Sequence, residues 1–320
     1  MKPKISVIIP VYKAEKYISK CLHSLFNQSL TETEFIFVDD SSPDNSVAII
    51  KETLNLYPHL IPHVHILQHD RNCGVSKSRQ DGLQLAAGEY VIHCDPDDWI
   101  DTNFLEELYT RAIHDNADVV FCDFSYDNAN YSKRISQKPK NFNSNSILCH
   151  LFINLHGSTW NKLIRTSKIK ELDLEFDPRF NFCEDLLFNV KLFLNPLRIS
   201  YTDKTQYHYN YSINPNSVVR KYSKESYEKD KELGLEIQKL IKNTPASTIG
   251  SNYMSFLIAW RSFIGNCFTN QEYKDNILPY WRGILRSYSS LSQKFLLLGS
   301  VLGFYRSLYH LYNKIKSYKK

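Results

Sequence analysis

The feature that most constrains this chain is a strict alternation, from Lys4 to Cys122, of short apolar runs with stretches at helical spacing. Residues 4–11, Phe35–Val38, His65–Leu67, Glu89–His93 and Asp118–Cys122 read as five strands, the most apolar of them buried on both faces. Between them Tyr17, Ile18, Cys21, Leu22, Leu25 and Phe26 recur at helical spacing, as do Val47, Ile49, Ile50 and Leu54. A third helix is expected from about Val75 to Ala86, and a fourth carries Phe104, Leu105, Leu108 and Ala112 on one face. Parallel strands need such crossovers, so the pattern predicts an α/β fold, a mostly parallel sheet flanked by helices. In sheets of that kind ligands sit beyond the carboxyl ends of the strands.

Polar residues fall at that end of the first four strands: Tyr12-Lys13, Asp39-Asp40-Ser41, Asp70-Arg71-Asn72 and Asp95-Pro96-Asp97-Asp98. Their convergence on one rim marks the site. The carboxylates at 95, 97 and 98 repel one another and cannot join a core, so they meet water, a cation or a positive ligand. Pro96 withholds a backbone donor and stops the strand. Carboxylate-only donors suit a hard cation, Mg²⁺ or Mn²⁺, that keeps positions open for phosphate oxygens. The alternative is an acidic turn in which Asp98 or Asp101 caps the next helix. Asp39 and Asp40 either close a turn or accept hydrogen bonds from a base or ribose. Asp70-Arg71-Asn72, followed by Gly74, is either a turn or a support for a ribose.

Beyond Cys122 the pattern loosens. Residues 125–145 are rich in Asn, Ser and Lys and read as a surface excursion, and Gly157–Ile164 breaks a helical stretch with polar and aromatic groups. Glu184 and Asp185 open an apolar helix. Acids there complement the macrodipole, or one of them removes a proton from an attacking hydroxyl. Gln206–Tyr211 alternates like a short strand and runs into Asn214–Ser217. Its His208 is either a structural imidazole or a nitrogen ligand acceptable to Mn²⁺. From about Lys224 onward the pattern is helical, with no polar cluster suited to catalysis.

Charge narrows the partners. The chain's 39 Lys+Arg and 34 Asp+Glu give +5, but residues 276–320 hold eight Lys/Arg and no acid. Subtraction leaves 31 basic against 34 acidic residues, or −3, for residues 1–275. A slightly acidic body without a recognised module argues against nucleic acid. Over residues 291–316, Leu291, Phe295, Leu298, Leu302, Tyr305, Leu308 or Tyr309, and Tyr312 form one stripe, with lysines at the end. A basic helix with such a face suits an anionic membrane surface, or it packs on its own domain or in a dimer. The first twelve residues are too short in apolar content for a secretory signal, and no apolar run approaches the ~20 residues of a membrane span. Seven scattered cysteines form no C-x-x-C pair, so a cytoplasmic protein with reduced thiols is expected.

Ile5–Tyr12, then Phe37–Asp44, then Asp95–Trp99 resemble, in order and spacing, the family 2 glycosyltransferases of bacteria. These are inverting enzymes with the GT-A (Rossmann-like) fold, and the resemblance covers roughly residues 4–220. It implies that Pro10, Val11, Tyr12, Glu15 and Ser41 surround the nucleotide, with Asp70 and Asn72 close by. Asp39 matches the acid that reads the base, commonly uracil. Asp95, Pro96 and Asp97 match the segment at the diphosphate and metal, Asp97 being the more direct ligand and Asp95 its companion. Asp185 matches the base of the family's E-D motif. Trp160-Asn161-Lys162-Leu163 and Tyr207-His208-Tyr209 resemble features of members that build capsule, lipopolysaccharide or teichoic-acid glycans. In some of those members equivalents of His208 and Glu184 approach the metal. Asp98, Trp160, Lys162 and Glu184 are therefore expected on the acceptor side or just behind the site, with Trp160 available to stack on a sugar.

The resemblance implies a division into residues 1–125, binding the nucleotide-sugar, 126–222, the acceptor and catalytic half, and 223–320, a helical C-terminal extension. The implied partners are a nucleotide-sugar donor, a UDP-sugar first among them, and a glycan or lipid-linked acceptor. A lipid-linked acceptor would give the basic tail its purpose at the inner face of the plasma membrane. Pro96 stands where a small residue is frequent. The Q-x-x-R-W motif of processive synthases is absent, which favours transfer of a single sugar. A sugar-phosphate nucleotidyltransferase would carry a glycine-rich loop after the first strand, and residues 10–15 contain no glycine. A non-catalytic binding module is disfavoured by the presence of both Asp97 and Asp185.

Overall fold

The computed structural model describes residues 2–128, 130–211 and 222–318. Nine strands form one sheet: β1 (Ile5–Val11), β2 (Thr33–Asp39), β3 (Val64–Gln68), β4 (Tyr90–His93), β5 (Trp99–Ile100), β6 (Val119–Asn128), β7 (Tyr131–Ile135), β8 (Lys162–Arg165) and β9 (Ile199–Asn210). Their order is β3-β2-β1-β4-β8-β6-β9-β5, with β7 paired to β6. The first four strands are mutually parallel, and β9 is parallel to β6. The expected strands are all present, and their carboxyl ends share one rim.

Helices α1 (Ile18–Phe26), α2 (Ser46–Leu54), α3 (Val75–Leu85) and α4 (Phe104–His114) are the crossovers. Ile18, Cys21, Leu22, Leu25 and Phe26 of α1, with Phe104, Leu105, Leu108 and Ala112 of α4, join the core built on Ile5, Val7 and Ile9. On the opposite face Gly82 of α3 lies against Ile8, where an added Cβ would come within 2.4 Å of a methyl group. Both faces of β1 are thereby covered, which is why its sequence is apolar throughout.

Three stretches differ from expectation. Residues 125–135 contain no simple excursion: β6 continues to Asn128 and β7 returns antiparallel beside it, from Asn128↔Tyr131 to Phe124↔Ile135. The exposed edge strand β7 needs no apolar alternation, so composition concealed it. The second is β8, four residues inserted antiparallel between β4 and β6. It is too short to show a period. The third, β9, begins at Ile199, well before the alternation at 206–211.

The chain divides into two compact units, residues 1–147 with 154–214, and residues 148–153 with 215–320. The first also contains α6 (Thr166–Glu171) and α7 (Glu184–Phe193), and α5 (Ser144–His150) lies at the division. The segment Asn214–Ser217 lies outside the described residues. In the second unit α8 (Lys224–Ile241), α9 (Ser247–Gly265), α10 (Asn270–Ile277), α11 (Trp281–Arg286), α12 (Leu291–Gly299) and α13 (Tyr305–Tyr318) surround Phe263, Tyr273, Ile284, Leu297 and Tyr305. Ser223, Thr269 and Ser290 each close a capping box that starts a helix. The tail stripe is split. Tyr305 is buried, and Leu298, Leu308, Tyr309 and Tyr312 pack against that core. Leu291 (85% exposed), Phe295 (69%) and Leu302 (76%) face outward, joined by Phe304 (61%). Lys319 and Lys320 lie outside the described residues.

Candidate active site

The loops after β1 and β2 are tied together. Ser42 Oγ accepts from Lys13 N (3.3 Å), Ser46 Oγ from Ala14 N (2.9 Å), Asp44 Oδ2 from Glu15 N (3.2 Å), and Glu15 Oε2 from Asn45 N (3.1 Å). Lys13 and Ser41 adopt left-handed backbone (φ 53° and 57°), uncommon for residues with a Cβ and concentrated at functional rims. Pro10 and Val11 are buried in β1, while Tyr12 projects outward. Asp39 accepts from Ser42 N (3.2 Å).

Asp40 has a different task. Its carboxylate accepts from Cys73 N (2.7 Å) and Gly74 N (2.8 Å) and lies 2.9 Å from His69 Nδ1, anchoring the turn before α3. Gly74 needs its φ of 90° there, and a side chain would collide with Asn181. Asp70 and Asn72 are exposed on that turn, and Asn72 Nδ2 donates to Asp40 O (3.3 Å).

The acids after β4 meet those of α7 through a residue that sequence reasoning missed. Arg79, buried on α3, donates from Nη2 to Asp95 Oδ1 (2.8 Å) and from Nη1 to Glu184 Oε1 (2.5 Å). Burial opposes its charge, but Asp95, Glu184 and Asp185 outweigh that and hold its pKa above the ordinary value. No local signal marked it, because Lys77, Ser78, Gln80 and Asp81 beside it in the helix are polar. Burial pushes Glu184 up to about 7 against the pull of Arg79, with Asp185 adding to the rise. Burial raises Asp185 too, although Arg79 opposes it. Cys183, in left-handed backbone (φ 55°), turns the chain so that both acids open α7.

Asp98 is buried and accepts from Tyr207 Oη (2.6 Å) and Asn210 N (2.8 Å). Burial, with Asp97 and Asp95 nearby, raises its pKa well above the carboxylate range. Neither Asp98 nor Asp101 caps α4, whose N-cap is Asn103; Asp98 binds β9 instead, and this corrects the capping alternative. Trp160 also differs from expectation. It is buried and stacked on Tyr207 (4.4 Å, 9°), so it supports the tyrosine that holds Asp98 and is not open to a sugar. Lys162 is completely buried, with its ammonium bonded inside the protein.

His208 is stacked on Trp99 (5.2 Å, 6°), with Nδ1 2.9 Å from Asp127 Oδ2 and Nε2 3.1 Å from Asp101 Oδ1. A carboxylate on one ring nitrogen orients metal-binding histidines, but here carboxylates face both, so Asp101 would have to leave Nε2 before that nitrogen could bind a cation. Asp95 and Asp97 offer carboxylate oxygens, the donor type that a hard divalent cation takes, and Asp95 Oδ1 is shared with Arg79. Among the described residues, three ligand atoms of His, Cys, Asp or Glu approach within 4.8 Å of one another at Asp40, His69 and Cys73. There the Asp40 oxygens already hold two backbone N–H groups.

The chain matches the model of Glycosyl transferase family 2 over residues 6–173 and belongs to that family. EpsH of Bacillus subtilis, named as a glycosyltransferase, is 31% identical over 233 residues, covering 71% of this chain and 65% of that one. TarS of Staphylococcus aureus, a poly(ribitol-phosphate) beta-N-acetylglucosaminyltransferase, is 30% identical over 209 residues, covering 64% of this chain and 35% of that one. A crystal structure of TarS 1–349 with UDP shares the fold at a TM-score of 0.65 and 23% identity, covering 97% of this chain and 91% of that one. The mannosyltransferase PcManGT of Pyrobaculum calidifontis, solved with GDP-Man and Mn²⁺, does so at 0.58 and 15% identity, covering 99% and 85%. The fold is GT-A. The chain spans no more than 65% of the length of these curated relatives.

Proposed function

We propose that the protein transfers one sugar, with inversion, from a nucleotide-sugar to a hydroxyl of a glycan or lipid-linked acceptor in surface-polysaccharide synthesis. The observation that carries this reading is the Arg79 bridge, which brings the D-x-D acid Asp95 and the E-D acid Glu184 to one rim. UDP is the expected nucleotide, since TarS was solved with UDP and with UDP-GlcNAc. Residues 1–125 would bind the donor, with Asp39 on the base and Tyr12, Glu15, Ser41, Asp70 and Asn72 around the nucleoside. Residues 126–222 would supply the acceptor side.

Asp185 accepts the proton of the acceptor hydroxyl as that oxygen attacks the anomeric carbon. The new C–O bond forms as the bond to the diphosphate breaks, and one displacement inverts the centre. A raised pKa suits this task, because a base must hold the proton it takes. Asp97 and Asp95, with His208 as a third candidate, would hold Mg²⁺ or Mn²⁺, which supplies charge neutralisation at the leaving diphosphate.

A panel of nucleotide-sugars, read with Mn²⁺, Mg²⁺ or chelator, tests the reading. A UDP-sugar should be preferred and chelator should abolish turnover; turnover that survives chelation removes the metal assignment. Asp185→Asn should retain donor binding and lose transfer by about 10²–10⁴-fold.

The same reading includes a cytoplasmic protein held at an anionic membrane surface by its C-terminal corner. Among the described residues no helix is long and apolar enough to cross a membrane. Leu291, Phe295, Leu302 and Phe304 project beside Lys294 and Arg306, the composition that lies on anionic lipid. Leu291→Ser with Phe295→Ser should weaken binding to phosphatidylglycerol vesicles without lowering the unfolding midpoint. Equal binding by variant and parent would leave the corner no membrane role.

A further inference from the structure

We infer that Lys162 is a positioning residue for Asp185, acting through the turn at 156–161 and through Asn189; this rests on the reading of Asp185 as the base. Lys162 opens β8 and is completely buried, which lysine tolerates when its ammonium is fully bonded. Its Nζ lies 2.8 Å from His156 O, 2.5 Å from Ser158 O and 2.8 Å from Asn161 Oδ1. Those bonds use all three donors, so a single cation gathers the turn that precedes its own strand. Ser158 Oγ braces the same cradle by donating to Asn161 Oδ1 (3.0 Å).

Asn189 grips that turn from the other side. It is buried on α7, one helical turn beyond Asp185, and its Nδ2 donates to Gly157 O (2.7 Å) and Ser158 O (3.2 Å). The same nitrogen lies 2.9 Å from Asp185 O. Ser158 O is thus shared between the ammonium of Lys162 and the amide of Asn189. Gly157 abuts the residue after Asp185, where a Cβ would come 3.1 Å from the Leu186 side chain. The turn is therefore a wedge between β8 and the start of α7, closed by one buried cation.

Charge acts in the same sense. Burial lowers the Lys162 pKa to about 7, and Asp185 works to raise it. Burial raises Asp185, and Lys162, with Arg79, favours its charged form. The other charged groups facing Asp185 are Glu184 on α7 and Asp95 after β4. Lys162 also faces Cys122 on β6 and the ring of His156.

The test is a kinetic cycle on the full chain with the nucleotide-sugar that the panel selects. Lys162→Met should lower kcat for transfer about 10- to 100-fold, the usual cost of a small misplacement. Donor KM and UDP affinity should stay within about 2-fold of the parent, which a collapsed site would not preserve. Asn189→Leu should give the same split, and the two changes together should cost little more than either alone, because both act through one turn. In an Asp185→Asn background, Lys162→Met should leave the residual rate unchanged. Effects that multiply in either double variant, or a raised KM with normal kcat, overturn the inference. Should Lys162→Met not fold, Asn189→Leu keeps the buried cation and decides alone. Transfer by Asp185→Asn at the parent rate would remove the base reading itself. An inactive Asp185→Asn beside normal Lys162→Met and Asn189→Leu would remove only the positioning role.

Discussion

Two acidic pairs, Asp39-Asp40 at the end of β2 and Glu184-Asp185 at the start of α7, look alike in sequence and are held by opposite means. At β2 the buried anchor, Asp40, is gripped by the backbone donors Cys73 N and Gly74 N, with the His69 imidazole as its side-chain neighbour. At α7 the buried anchor, Glu184, is gripped by a guanidinium at 2.5 Å. Each pair commits one acid to the scaffold and leaves its neighbour for other work. Backbone donors fix a carboxylate without cancelling its charge. A cationic anchor cancels charge, and that lets Asp95, Glu184 and Asp185 share one rim without expelling one another. In the proposed function the β2 pair serves donor binding and the α7 pair serves a proton.

Removing the cation gives the largest expected effect. Arg79→Met leaves Glu184 and Asp95 without their partner in a poorly solvated place, which should destabilise the protein by about 3–5 kcal/mol. The unfolding midpoint of the sheet unit should fall by on the order of 10 °C. Thermal unfolding followed by circular dichroism reads this directly. A midpoint within about a degree of the parent would mean that the α7 pair is not held by charge, and the contrast with β2 would disappear.

Asp40→Asn probes the backbone-held anchor and should cost less, about 1–3 kcal/mol, because the amide keeps one acceptor and turns a donor toward a backbone N–H. The loss should be local. Amide exchange at Cys73 and Gly74 should accelerate, while the amides of α7 keep their protection. Unchanged protection at Cys73 and Gly74 would show that the turn before α3 stands without Asp40.

These anchors mark the limit of what the sequence discloses. The sheet was legible because parallel strands covered on both faces, such as Ile5–Val11, must be apolar throughout. The rim was legible because polar clusters ended successive strands. The division of labour within each acidic pair was not, because adjacent acids differ only in what surrounds them after folding. Arg79 sits among Ser78, Gln80 and Asp81, and nothing local distinguishes it from a solvated helix face. Trp160 and Lys162 were legible as unusual residues on the acceptor side or just behind the site, but their complete or near-complete burial was not. Lys162 opens β8 and Trp160 lies in the turn just before it, and a strand of four residues shows no period from which an inward face can be read.

The cation-held pair also carries a pH signature, the smallest of the expected effects. Burial sets the folded pKa of Glu184 at about 7, above its ordinary value of 4.5. Between those values the folded chain binds a proton that the unfolded chain releases. The contribution to stability is therefore fully present below the unfolded pKa and is lost as pH rises through about 7. Asp185, raised in the same direction, adds to the slope. Acids with lowered values, such as Asp118 and Asp127, work in the opposite sense but in a more acidic window. Glu184→Gln removes the titration while keeping an oxygen for Arg79, so its unfolding midpoint should change less between about pH 5 and 7.5 than the parent's. Parallel curves for the two proteins would locate the proton on another group and leave Glu184 a charged partner of Arg79 throughout.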